Sequence, residues 1–207
     1  MNAQMRDARE MDNGAIVETD VCIIGSGPAG LAVASQLANN EHLRVLVVES
    51  GNLSPEEPGR QLSKGKITGL PYGPLENTRE RAMGGSANLW DIDIGKRSLA
   101  ALLRPLDALD FEIHEWQSHS GWPISLSDLN PYYRLAYEMC GLGVKSAYDF
   151  ALLDEAINKQ LPTDSDRLET TVFTHGESRL FTTASESKFM GKAEFLYNAT
   201  VTQLITD

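Results

Sequence analysis

Two short apolar runs on either side of a helical segment dominate the early part of the chain. Val21 to Ile24 is continuously apolar and leads directly into a glycine-rich turn. A segment with helix-forming residues follows, and a second apolar run, Val45 to Val48, ends on Glu49. Short apolar runs bounded by turn residues indicate buried strands. The pattern therefore predicts strand, turn, helix and strand over residues 20–51, which is the βαβ unit of an α/β fold.

The turn after the first predicted strand has the spacing Gly-x-Gly-x-x-Gly, the fingerprint of dinucleotide-binding folds. The first glycine allows a sharp turn, the second lets a pyrophosphate approach the backbone, and the third lets the helix pack on the strands. The free amides and the positive dipole end of the helix then face the phosphates. The residues predicted to contact the cofactor in this turn are Gly25, Ser26, Gly27, Pro28, Ala29 and Gly30.

An acidic residue ends the second predicted strand, about twenty residues after the turn, where dinucleotide-binding folds hold the ribose. Glu49 has this position, and its carboxylate is predicted to accept hydrogen bonds from both ribose hydroxyls. A carboxylate also repels a 2′-phosphate, which argues against NADP. An ordinary tight turn would not explain this acid, so the pattern predicts a bound adenine dinucleotide. The fingerprint alone does not separate FAD from NAD.

A second glycine-rich segment, Arg79 to Trp90, follows a stretch that is rich in proline, glycine and charge and has no periodicity. Its adjacent glycines permit a close backbone approach, a serine and an asparagine offer hydrogen bonds, and an arginine can neutralise a phosphate. Taken alone, such a segment is as well explained as a structural loop. Downstream of a dinucleotide turn it is interpreted as a second part of the site, with contacts from Arg81, Gly84, Gly85, Ser86 and Asn88.

The middle of the chain, residues 104–162, is predicted to be mostly loop and helical insertion. Asn130 and Pro131 have the residue types that cap and begin a helix. A second predicted helix, with its own stripe of apolar residues, follows this first one and ends at Pro162. The apolar face of the first helix is predicted to contain Tyr132, Leu135, Ala136 and Met139.

The two ends of the chain have different patterns. Residues 1–18 are polar and mixed in charge, without the apolar region of a secretory signal, and are interpreted as a mobile leader. Residues 170–207 are rich in β-forming residues and are predicted to return to the domain that occupies residues 19–207. The strands predicted in this return are Thr171–Thr174, Arg179–Thr183, Glu194–Tyr197 and Thr200–Thr206.

Composition excludes several classes of function. The 207 residues are 42% hydrophobic and 23% charged, which is typical of a soluble globular protein. A net charge of -11 argues against a nucleic-acid partner, and no apolar run has the length of a membrane span. The two cysteines have no disulfide or zinc spacing, which favours a reducing, cytoplasmic location. His114 and His119 lie among acidic residues, but their spacing fits no helical metal pair, so no metal is predicted.

Four motifs occur in order between residues 19 and 207: GSGPAGL with VVESG, RAMGGSANLW, SGWPISLSDLNPYY and NATVTQL. In these motifs the chain resembles the glucose–methanol–choline (GMC) family of FAD-dependent oxidoreductases, and the resemblance favours FAD over NAD. The chain looks most similar to the gluconate-dehydrogenase and pyranose-oxidase members, in which a tryptophan follows the second glycine motif. The resemblance implies a Rossmann-like FAD/NAD(P)-binding domain with a parallel sheet.

The resemblance also implies roles for individual residues. The first glycine turn would hold the pyrophosphate, Glu49 the adenosine ribose, and the second glycine segment would lie along the pyrophosphate and flavin. Val201 would present backbone groups to adenine. Some relatives attach FAD covalently through a histidine in the second motif, and Leu89 at that position implies non-covalent FAD. Ala87 replaces a more usual Ser or Thr, which weakens one flavin contact.

GMC enzymes oxidise CH–OH groups of alcohols or sugars, pass the hydride to flavin N5, and carry a catalytic histidine with a histidine or asparagine partner near the C-terminus. They are typically much longer than this chain, which has no match to that pair. The resemblance thus implies a truncated, fragmentary or split enzyme that is inactive alone and needs its C-terminal half or a partner subunit. Two alternatives stay open: a non-catalytic nucleotide-binding module that works with a partner chain, and a fragment of an NAD-dependent dehydrogenase.

Overall fold

The computed structural model describes residues 4–95, 97–103, 105–140, 174–177, 181 and 191–206. The chain divides into two compact units, Met1–Ile92 with Arg179–Asp207, and Asp93–Ser178. The predicted helix that ends at Pro162 lies outside the described residues, as do nearly all of the predicted strands Thr171–Thr174 and Arg179–Thr183.

Strands, α-helices and 3₁₀ helices are interspersed along the chain. In the described part of the chain, short 3₁₀ helices cover Ala8–Glu10, Gly85–Leu89 and Ala108–Phe111. The strands are β1 (Gln4–Asp7), β2 (Val21–Ile24), β3 (Val45–Val48), β4 (Ile92–Ile94), β5 (Arg97–Leu103), β6 (Thr174–Glu177) and β7 (Glu194–Tyr197). The α-helices are α1 (Pro28–Leu37), α2 (Glu57–Gln61), α3 (Leu75–Thr78) and α4 (Leu126–Met139).

The first unit is built on a parallel four-stranded sheet with the order β1-β7-β3-β2. All four residues of β3 are buried, and Val47 pairs with the fully buried Phe195 of β7. Helix α1 begins at Pro28, where a missing N–H costs nothing, and it buries Leu31 and Ala34. The α/β fold and the strand–turn–helix–strand unit that the sequence predicts are therefore confirmed.

Strand β1 differs from the expectation of a mobile leader. Residues 4–7 pair in parallel with β7, and Arg6 Nη2 lies 2.8 Å from Glu194 Oε2. Asn198 Nδ2 donates to Asp7 Oδ1 at 3.1 Å. The segment is held by backbone pairing and polar contacts with residues almost a chain length away. A strand held in this way has no hydrophobic pattern of its own from which it could be predicted.

The second unit contains a three-stranded sheet with the order β4-β5-β6, in which β5 and β6 are antiparallel. Helix α4 begins at Leu126, earlier than the predicted start at Pro131, which lies inside the helix. Ser125 explains the early start, because Asp128 Oδ2 accepts hydrogen bonds from both its N–H (2.8 Å) and its hydroxyl (2.7 Å). Such a capping box is a strong helix start.

The predicted apolar face of α4 is not its buried face. Tyr132 is 64% exposed and Leu135 is 49% exposed, whereas Tyr137 and Cys140 are buried. The last predicted strand, Thr200–Thr206, has no regular secondary structure. Within the described residues, no helix combines the length and the apolar character needed to cross a membrane.

Candidate nucleotide-binding site

A cavity of about 350 Å³ opens where β2 and β3 end, in the first unit. Ile24 and Val48, the last residues of these two strands, line it. The other walls come from the first glycine turn, from the second glycine segment and from residues 199–201. The carboxyl ends of parallel strands are where α/β folds bind their ligands.

The first glycine turn is shaped for close approach. Gly25 has φ +95°, a left-handed conformation that favours glycine. A Cβ on Gly30 would lie 2.0 Å from the carbonyl oxygen of Gly25, so this glycine lets α1 pack on the turn. A Cβ on Gly27 would meet no atom within 4 Å. The space in front of Gly27 belongs to the cavity, which is the arrangement a pyrophosphate needs beside the amides of a helix start.

Glu49 lines the cavity but is only 6% exposed, and its carboxylate is already hydrogen bonded. Ser26 donates to Oε2 through its N–H at 2.9 Å and its hydroxyl at 2.6 Å. Gly51 N–H donates to Oε1 at 2.8 Å. An ionised carboxylate has about four acceptor positions. One position is therefore left for a ligand, whereas the sequence predicted that both ribose hydroxyls would be accepted.

The second glycine segment lies directly on the first turn. Gly84 N–H donates to the carbonyl of Ser26 at 3.1 Å. A Cβ on Gly85 would lie 3.1 Å from Gly27 Cα. The two glycine-rich segments that the sequence singled out thus have adjacent backbones at one cavity.

The polar side chains of this segment have two different positions. Ser86 lines the cavity, and its Oγ accepts from Glu80 N–H at 3.2 Å, which leaves the hydroxyl proton for another acceptor. Asn88 Nδ2 donates to the carbonyls of Met83 (2.9 Å) and Gly85 (2.8 Å). Asn88 is not among the lining residues, so its observed contacts hold the loop rather than face the cavity.

Arg81 places a guanidinium on the cavity wall. Its Nη1 donates to Ser50 Oγ at 2.8 Å, and Ser50 Oγ lies 3.1 Å from Thr200 Oγ1. No carboxylate of the described residues lies within ion-pair distance of Arg81. The same three residues also line a neighbouring cavity of about 260 Å³. A cation that has no counter-ion among the described residues, at the wall of a cavity, favours an anionic ligand.

Glu80 precedes Arg81 and is also at the cavity. Its Oε2 accepts from Arg60 Nε (3.2 Å) and Nη2 (3.1 Å), and this interaction raises the pKa of Arg60. Its Oε1 is buried and has no hydrogen-bond partner among the described residues. Glu80, Ser50 and Thr200 line the cavity although the sequence did not predict them as site residues. Ser50 is adjacent to the predicted Glu49, but nothing in the local sequence shows that Thr200 lies beside it.

Residues after β7 reach the cavity because they are hydrogen bonded to the end of β3. Asn198 N–H donates to the Gly51 carbonyl and Ala199 N–H to the Glu49 carbonyl, both at 2.8 Å. This pairing places Thr200 and Val201 on the cavity wall. Of the predicted contacts, the lining residues are Gly25, Gly27, Glu49, Arg81, Gly85, Ser86 and Val201, and those outside the lining are Ser26, Pro28, Ala29, Gly30, Gly84 and Asn88.

A model of the Thi4 family matches residues 3–57, which contain β1 to β3 and the first glycine turn. No curated protein matches significantly. A solved structure of formate oxidase from Aspergillus oryzae, from work on the effect of a mutation on FAD modification, is similar to this chain, with 18% identity and a TM-score of 0.30. The match covers 93% of this chain and 26% of that one, so the chain spans about a quarter of that protein's length.

Proposed function

We propose that this chain binds FAD non-covalently and forms the cofactor-binding part of an oxidoreductase. One observation carries the proposal: two glycine turns meet at the carboxyl end of a parallel sheet, and the open side of Gly27 faces a cavity walled by Glu49 and Arg81. The cavity therefore offers backbone amides and a guanidinium for a diphosphate, and a carboxylate for a sugar hydroxyl. These are the groups that an adenine dinucleotide requires.

The residues that would hold FAD follow from this arrangement. The amides at the start of α1 and the guanidinium of Arg81 would bind the phosphates, and the Ser86 hydroxyl would donate to an adjacent oxygen. Glu49 would accept one ribose hydroxyl, and Val201 would present its backbone to adenine. Leu89 offers no nucleophile for attachment at the position where some GMC members have histidine, which supports non-covalent binding.

The proposed reaction is the oxidation of a CH–OH group of an alcohol or sugar. When bound, FAD would supply the hydride acceptor, while the protein positions the reactants and tunes their electrostatics. No histidine is among the residues that line the cavity, so the described part of the chain assigns no base to the substrate hydroxyl. We infer that this base comes from a C-terminal half or a partner subunit, and that the 207-residue chain alone has little or no turnover.

Flavin titration of the purified chain tests the cofactor. FAD should bind saturably, ADP should compete, and acid should release intact flavin. Gly27→Ala should weaken FAD binding about tenfold or more, because the new methyl group fills the space beside the backbone amides. Its unfolding temperature without FAD should stay unchanged, because Gly27 has an ordinary φ of -66° and the Cβ touches no protein atom.

Gly73→Ala is the matched control, because its Cβ makes an ordinary 3.4 Å contact with Thr78 and does not line the cavity. This variant should bind FAD like the wild type. Absence of saturable FAD binding, or equal affinity of wild type and Gly27→Ala, would refute the proposal. Protection by NAD but not by FAD would instead support the dehydrogenase alternative.

A further inference from the structure

We propose that Ser26 is a positioning residue that determines how the chain recognises the ribose of its nucleotide. Ser26 orients the Glu49 carboxylate so that a single acceptor position remains for a single ribose hydroxyl. The inference rests on the proposed function, because it requires an adenine nucleotide in the cavity. It goes beyond that function by assigning a role to a residue that cannot itself touch the ligand.

The contacts of Ser26 are directed at one oxygen. Its N–H and its hydroxyl both donate to Glu49 Oε2, at 2.9 Å and 2.6 Å. Ser26 is 0% exposed, so no ligand reaches its side chain. Two donors on a single oxygen fix both the position and the rotation of the carboxylate, and hydrogen bonds to a charged group are stronger than neutral ones.

The other carboxylate oxygen of Glu49, Oε1, has one of its two acceptor positions filled. Gly51 N–H donates to Oε1 at 2.8 Å, and no other described residue donates to that atom. With about four acceptor positions on a carboxylate, the remaining one is on Oε1. Because Glu49 lines the cavity and is otherwise buried, this position is the carboxylate's contribution to a ligand. A free carboxylate could accept both adjacent hydroxyls of a ribose, but this one can accept only one.

Ser26 also connects the two glycine turns. Its carbonyl accepts from Gly84 N–H at 3.1 Å, so the second turn holds the residue that orients Glu49. Ser26 supplies the only side-chain donor to the carboxylate among the described residues, since the other two donors are backbone amides. The hydroxyl of Ser26 is therefore the part of this arrangement that a substitution can remove.

A thermodynamic cycle on the full chain tests the proposal. The affinities of ADP, 2′-deoxy-ADP and 3′-deoxy-ADP are measured by calorimetry for the wild type and for Ser26→Ala. In the wild type, the analogue that lacks the recognised hydroxyl should bind about tenfold more weakly than ADP. In Ser26→Ala this ratio should fall to within about threefold, while the ratio for the other analogue should not change.

Each result of the cycle has a defined meaning. Coupling of Ser26 to neither hydroxyl would overturn the positioning role, and coupling to both would overturn the single acceptor position. If the wild type does not bind ADP, the proposed function fails rather than this inference. Ser26→Cys, whose sulfur is larger than the hydroxyl oxygen and donates only weakly, should give an intermediate ratio and replaces Ser26→Ala if that variant does not fold. If neither variant folds, equal losses with both analogues in the wild type would overturn the proposal.

Discussion

Gly27 in the first turn and Gly84 in the second turn are glycines for different physical reasons. Gly27 has an ordinary φ of -66°, and a Cβ there would meet no atom within 4 Å. Gly84 has φ +87°, and a Cβ there would lie 2.3 Å from the carbonyl oxygen of Phe181. The protein could therefore accommodate a side chain at the first position but not at the second.

Within one site, Gly27 is thus a position that matters for ligand binding, and Gly84 is a position that matters for folding. Space that the protein does not fill at Gly27 is available to a ligand, whereas the space at Gly84 is used by the protein itself. Gly85 repeats the second case, since it has φ +56° and lies against Gly27. The first turn thus leaves open space at the cavity, whereas the second turn packs against the first and adds Arg81, Gly85 and Ser86 to the wall.

The largest effect on stability is expected from Gly84→Ala. The substitution combines a left-handed backbone, which costs about 1–2 kcal/mol for a residue with a Cβ, with a clash against the Phe181 carbonyl, which would have to move. We expect the free energy of unfolding to fall by about 3 kcal/mol or more, measured by urea denaturation without FAD. Gly27→Ala serves as the control and should stay within about 0.5 kcal/mol of the wild type. Similar stability of both variants would contradict the distinction between the turns.

A smaller effect, on binding alone, is expected from Arg81→Gln. Loss of the guanidinium from an open cavity should weaken FAD binding by about 1 kcal/mol, or about fivefold, and should make the affinity less dependent on salt. The free energy of unfolding should change little. Arg79→Gln is the control, because Arg79 is exposed, donates to Thr78 Oγ1 and does not line the cavity. Equal losses in the two variants would mean that the second turn contributes only general charge.

The βαβ unit could be predicted because each of its signals is local. The strand ends, the glycine spacing and the proline at the helix start all lie within one short stretch, and each has its own steric reason. Strand β1 could not be predicted, since its partner β7 is distant in sequence and its contacts are polar. The predicted start of α4 was wrong because the helix begins at the capping box of Ser125 and Asp128, and Pro131 lies inside it.

The candidate site divides in the same way. Glycine spacing and a terminal acid identified Gly27 and Glu49, since the ligand itself imposes those residue types. The sequence could not show that Ser26 donates a hydrogen bond to the Glu49 carboxylate, because a contact between a turn and the end of the next strand has no sequence signature. It also could not show that Thr200 meets Ser50, since that contact depends on how the segment after β7 pairs with β3.

The smallest effect is expected from Asp20→Asn, just before the strand that carries the first turn. Asp20 accepts hydrogen bonds from the side chain and the N–H of Arg44, and these lower its pKa from 3.8 to about 2. A depressed pKa means that the folded state favours the charged carboxylate. The resulting stability is present above the ordinary pKa and is lost as the pH falls through about 2.

We therefore expect Asp20→Asn to unfold at a slightly lower temperature than the wild type at neutral pH, with the gap closing between pH 4 and pH 2. The pair is exposed, so the gap should be smaller than that of Gly84→Ala. FAD affinity should not change, because Asp20 is absent from the cavity wall. Asp12→Asn, at an exposed carboxylate before β2, should show no comparable gap. A gap that persists at low pH would mean that the Asp20 contacts act without charge, and a change in FAD affinity would mean that the first turn depends on how its strand begins.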